Sequence, residues 1–67
     1  MNITVRARQT VDRFTWDVEI IYKHPPTNAV LVIAKYEIVE YSEEDAIEHG
    51  ASKFEEEIRN AIEEART

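Results

Sequence analysis

Cysteine is absent from this 67-residue chain, so neither a disulfide nor a thiolate metal site can reinforce the fold. One glycine and two prolines leave little room for linkers, low-complexity tails or a glycine-rich phosphate loop. The longest apolar run is the six residues Ala29 to Ala34, far short of the ~20 a bilayer span needs. Met1-Asn2-Ile3-Thr4 carries no basic segment leading into an apolar one, so no signal peptide is visible. The glycosylation pattern Asn2-Ile3-Thr4 is then a chance match, and a cytoplasmic location is the expectation. Basic residues are also scarce, eight against fourteen acidic ones, and the net charge of −6 argues against nucleic acid or an anionic membrane as a direct partner.

Residues 1–67 form one small domain. A chain this short buries only about 60% of the surface it exposes when unfolded, and a single core of that size supplies roughly 3–5 kcal/mol.

Three segments alternate in the manner of half-buried strands. In the first, Asn2 to Arg8, Ile3, Val5 and Ala7 oppose Thr4, Arg6 and Arg8. In the second, Phe14, Trp16, Val18, Ile20 and Tyr22 form one face. His24-Pro25-Pro26-Thr27-Asn28 then breaks the pattern, because proline cannot donate to a ladder. The third, Ala29 to Glu40, has Val30, Val32, Ala34, Tyr36 and Ile38 inside. Setting Tyr22 opposite Val30 aligns both apolar faces, with Trp16 on Tyr36 and Phe14 on Ile38, and brings Asp17 against Lys35. The first strand is expected beside the second, in either of two registers.

Ser42 suits a helix N-cap, and Glu43, Glu44 and Asp45 suit the positive end of the helix dipole. Ile47, Gly50, Ala51, Phe54, Ile58, Ala61, Ile62 and Ala65 then recur at helical spacing, predicting an amphipathic helix of about six turns. Glycine inside a helix costs roughly 1 kcal/mol against alanine. Gly50 lies on the apolar stripe, so the helix backbone is expected to approach a bulky sheet residue such as Trp16 or Tyr36. The predicted fold is a two-layer α+β domain, a three-stranded antiparallel meander followed by one long C-terminal helix on one sheet face.

Charge is segregated along the chain. Before Ser42, five acids balance five bases; from Ser42 to Ala65 there are nine acids and two bases. Lys53 with Glu56 or Glu57, Arg59 with Glu55 or Glu56, and Arg66 with Glu63 can form helix-supporting pairs worth about 0.2–0.5 kcal/mol each. A solvated face therefore explains part of the density. The alternative is an acidic face, Glu48, Glu55, Glu56, Glu63 and Glu64, presented to a protein with a basic surface, including one that ordinarily grips nucleic acid. A second candidate surface is an apolar corner of the uncovered sheet face, Ile21, Leu31 and Ile33, with Ile21 and Leu31 as direct neighbours. It suits a homodimer contact or another protein partner.

Catalytic chemistry finds no foothold. No nucleophile with a partner base is visible: Ser42 is used by the cap, and Ser52 lies on the helix flank. His24 belongs to the loop, and Asp45 with His49 offers two metal ligands at most. The helix carboxylates lie on a convex surface with no cleft to separate their pKa values, and no small-molecule pocket, cofactor or metal site is expected. The stretch "YSEEDAIEHGA" resembles, over Ser42 to Ala51, the strand-to-helix junction of HicB-type antitoxins and of many small phage-encoded proteins. The resemblance implies a small accessory protein of a mobile element, but no further strand or DNA-binding segment follows the helix here. The expected function is a non-enzymatic protein-binding module, an inhibitor or adaptor. The alternatives are a structural homodimer or designed scaffold without a ligand, and nucleic-acid binding through the open sheet face.

Overall fold

The computed structural model describes residues 2–66. Three strands, β1 (Ile3–Gln9), β2 (Thr15–His24) and β3 (Ala29–Val39), precede one helix, α1 (Glu43–Arg66). The strands form one antiparallel sheet in the order β1-β2-β3, so β1 and β3 are both edges. The helix packs on one face, giving the expected two-layer βββα domain.

Alternation decides what is buried. Trp16, Val18 and Ile20 on β2 and Ile38 on β3 face the helix and are buried; Ala46 of α1 closes over Trp16, Val18 and Ile38. Val5, Ala7 and Tyr36 pack at the margin. The indole Nε1 of Trp16 donates to the Glu40 carbonyl at 3.0 Å, tying the sheet to the turn that enters the helix.

The β2–β3 register differs from the expected one. Trp16 pairs with Ile38, Val18 with Tyr36 and Ile20 with Ala34, two residues along from the predicted partners, so the apolar faces still match. Asp17 consequently faces Glu37, and Lys35 faces Glu19. The cause lies at the hairpin. Asn28 adopts a left-handed φ of 59° and its N–H donates to the His24 carbonyl at 2.7 Å, a conformation asparagine tolerates better than most residues. This loop keeps His24 paired with Ala29, which continues as Tyr22 with Leu31 and Ile21 with Val32. That register is out of phase with the lower half, and a β-bulge between Ile20 and Ile21 corrects it, leaving Ile33 as the extra residue of β3. Phe14 stands outside β2, 42% exposed, and packs edge-on against Tyr41 with ring centroids 5.4 Å apart instead of lying on Ile38. β1 takes one register, Val5 opposite Ile20 and Ala7 opposite Val18.

Candidate protein-binding surfaces

The helix starts as its sequence demands. Ser42 Oγ accepts the Asp45 N–H at 3.1 Å, and three acids fill the first turn. Its backbone reaches the sheet at Gly50, which is buried. A Cβ there would collide with Val18 Cγ1 and lie 3.1 Å from Val18 Cβ and 3.4 Å from Ile38 Cδ1. The close approach is real, but the sheet residue beneath it is Val18, not Trp16 or Tyr36. Ile47, Ala51 and Phe54 are half-buried beside this contact.

From Glu55 to Arg66 every residue is exposed. The Cα extents are 39 × 34 × 16 Å. Three strands spaced about 4.8 Å apart span only ~10 Å, so the second long dimension belongs to the helix, about 36 Å long at 1.5 Å per residue. The apolar stripe nevertheless continues onto the projecting half: Ile58 is 43% and Ile62 50% exposed, with Ala61 and Ala65 between and beyond them. Glu57 accepts the Tyr36 hydroxyl at 2.8 Å, a hydrogen bond joining this half to the sheet. Burial of the phenol, and then that hydrogen bond to a carboxylate, push the Tyr36 pKa up to about 12.

The predicted acidic residues Glu48, Glu55, Glu56, Glu63 and Glu64 are all exposed. At about 100° per residue, Glu48, Glu55, Glu63 and Glu56 fall within an arc of about 100° on the helix back, and Glu64 lies about 80° beyond Glu56, on the flank away from Ile62. Arg59 bridges Glu55 at 3.1 Å. Glu57 is turned to Tyr36 and not to Lys53.

The apolar corner is rearranged by the bulge. Ile21 lies opposite Val32, while Leu31 pairs with Tyr22 in the row on the helix side. Contrary to the expectation, Ile21 and Leu31 are therefore not neighbours on one face; the outer-face row is Ile21, Val30 and Val32, with the bulge residue Ile33 beside it. Val30 is 62%, Val32 51% and Ile33 46% exposed; Leu31 is exposed as well, because the hairpin end lies beyond the helix. Below the cluster the outer face is mixed in charge. The Arg6 guanidinium donates twice to Glu19 Oε1, at 2.6 and 3.1 Å, and this bond holds the Glu19 pKa below the usual carboxylate range. Arg8 faces Asp17, which faces Glu37.

His24 Nδ1 lies 3.2 Å from Thr27 Oγ1, within the loop. Asp45 and His49 are both exposed, and among the described residues no group of three or more His, Asp or Glu is placed to hold a metal. No described helix is long and apolar enough to cross a membrane. Comparison with protein families, characterised proteins and solved structures finds no match to this chain.

Proposed function

We propose that this chain is a non-enzymatic protein-binding module whose docking element is the projecting half of α1. The observation that carries the proposal is an apolar stripe that runs on after the sheet beneath it has ended, through Ile58 and Ile62. An isolated helix of twelve residues is marginal in water, and its isoleucines stand outside the hydrophobic core, about half exposed. An amphipathic helix of that kind fits an apolar groove, anchored by residues at i, i+4 and i+7. Five acids against two bases over residues 55–66 select a groove with a basic rim. An inhibitor or adaptor acting on a basic protein surface is the role this supports.

A displayed library of random peptides, panned on the intact protein, tests the proposal. Enriched peptides should combine apolar residues with lysine and arginine. Their binding should weaken from 0.1 to 1 M salt, as the screening length falls from about 10 to about 3 Å. The Ile58→Asp/Ile62→Asp variant, altered only at exposed positions, should retain the fold and lose the binding. Enrichment of peptides without basic residues, or binding unchanged in the variant, would refute it.

A further inference from the structure

A different surface, the open edge of β3, carries its own inference. The two edges of the sheet are unequal. β1 is seven residues long and carries Arg6 and Arg8. β3 is eleven residues long, with Lys35 and Glu37 as its only charges and no proline. Long apolar edges with few charges are templates for another strand.

The hydrogen-bond phase shows which groups of β3 are open. Glu40 donates its N–H to the Phe14 carbonyl at 2.9 Å, so positions alternating from Glu40, namely Ile38, Tyr36 and Ala34, bond to β2. The same phase follows from the other side of β2, where Thr10 N–H donates to the Thr15 carbonyl and Lys23 N–H to the Asn2 carbonyl, assigning the odd residues of β2 to β1. The N–H and C=O groups of Lys35, Glu37 and Val39 therefore point out of the sheet. All three residues are exposed.

The charges at this edge are only partly compensated within the chain: Lys35 acts on Glu19 at a distance, and Glu37 has no cation opposite it. Arg6 holds Glu19, the cross-strand neighbour of Lys35, and Lys35 forms no salt bridge among the described residues. Glu37 faces another acid, Asp17, an arrangement that is destabilising on a sheet. Two copies of one strand pairing antiparallel about a twofold axis have few registers. An axis at Lys35 sets lysine on lysine, and one at Glu37 sets glutamate on glutamate. An axis at Tyr36 sets Lys35 opposite Glu37 of the second copy, twice by symmetry, and Ile33 opposite its Val39. That register also uses the outward backbone groups of Lys35 and Glu37.

We propose that the β3 edge is a self-association site, where a second copy of this chain pairs antiparallel about Tyr36 to form a six-stranded sheet. Such an isologous contact closes on itself and leaves β1 as the outer edge on both sides. It removes the edge groups of Lys35, Glu37 and Val39 from water and sets Lys35 and Glu37 of the two copies directly against each other.

The test is molar mass by light scattering over a dilution series from millimolar to micromolar protein, for the wild type and two charge variants. The wild type should reach twice the mass of the 7.8 kDa chain. Glu37→Lys sets lysine against lysine across the axis and should weaken the dimer roughly tenfold or more. Its thermal midpoint at dilute concentration should not fall, since the introduced lysine would face Asp17, which separates lost association from lost folding. Lys35→Glu combined with Glu37→Lys restores opposite charges and should recover the dimer. A wild type that stays at one chain's mass throughout overturns the proposal, as does a Glu37→Lys dimer as tight as the wild type. A double variant no tighter than Glu37→Lys overturns the register.

Discussion

Alanine at Gly50 sets two effects of known size against each other. Helix propensity favours alanine by about 1 kcal/mol. The sheet opposes it. The new methyl would meet Val18 Cγ1 well inside contact distance, with Val18 Cβ at 3.1 Å and Ile38 Cδ1 at 3.4 Å. Valine is stiff about χ1, Val18 is wholly buried, and its Cβ is fixed by the strand, so no side-chain rotation clears the site. The helix must lift, and overpacking of this kind costs about 1–3 kcal/mol. The net expectation for Gly50→Ala is a loss of about 1 kcal/mol, which lowers the midpoint of a domain this small by roughly 4–8 °C. Val18→Ala alone should cost about 2 kcal/mol in lost burial and cavity. In that background Gly50→Ala should become neutral or stabilising by up to about 1 kcal/mol, because its methyl occupies the vacated space, giving a coupling of about 1–2 kcal/mol. Urea denaturation of all four proteins at one fixed concentration measures the cycle; the concentration is held because self-association would otherwise shift the midpoints. A wild-type background in which Gly50→Ala raises the midpoint, or equal effects in the two backgrounds, would refute the close approach.

Two further predictions concern single side chains. Ser42→Ala removes the acceptor for the Asp45 N–H and should cost about 1 kcal/mol, with Ser42→Asp close to wild type; a midpoint unchanged in Ser42→Ala would remove the cap from the account. Tyr36, with its pKa raised to about 12 from the ordinary value near 10, favours the folded state while the phenol is neutral. That contribution is complete below about pH 10 and lost as the pH rises through 12. Ultraviolet titration should show a phenolate transition near 12 that vanishes in Tyr36→Phe and moves down in Glu57→Gln; its persistence in Tyr36→Phe would place it elsewhere.

Period and caps made most of this architecture legible from the sequence. Trp16, Val18 and Ile20 alternate too cleanly to be anything but a strand with one buried face, and the Ser42 cap marks the helix start to the residue. The strand register was less accessible. A slide of two residues preserves which side chains face the core, so the hydrophobic pattern cannot distinguish Trp16 on Tyr36 from Trp16 on Ile38. What decides is the backbone of Asn28 and the bulge at Ile33. Asparagine before a strand was a visible sign of a left-handed turn residue, whereas a bulge inside the run Ala29 to Ala34 had no sequence sign, every member being apolar. The same bulge moves Leu31 off the outer face and brings Val32 onto it, which is why the apolar corner differs in membership from the one the alternation predicts. The projection of α1 was hidden for a related reason. Periodicity measures how far an apolar stripe extends, not how far the sheet beneath it does, and Ile58 and Ile62 look no different in sequence from Phe54.

The distribution of charge separates the two surfaces. Pairing two projecting helix halves would bring together segments that each hold five acids and two bases, so the exposed stripe of Ile58 and Ile62 is a poor site for a second copy despite being apolar. The β3 edge holds one lysine and one glutamate and meets its own copy without net repulsion. The excess charge thus sits on the projecting half of α1 and the β3 edge is near neutral, as the proposed division between partner docking and self-pairing requires. Glu63 supports this division. It stands in the last turn of the helix, where the dipole disfavours an anion by about 0.3–1 kcal/mol, and it gains no ion pair there among the described residues. The dipole and ion pairing within the helix do not account for this carboxylate; under the proposed reading, repulsion between copies and attraction to a basic partner both would, and both would act through the same projecting half of α1.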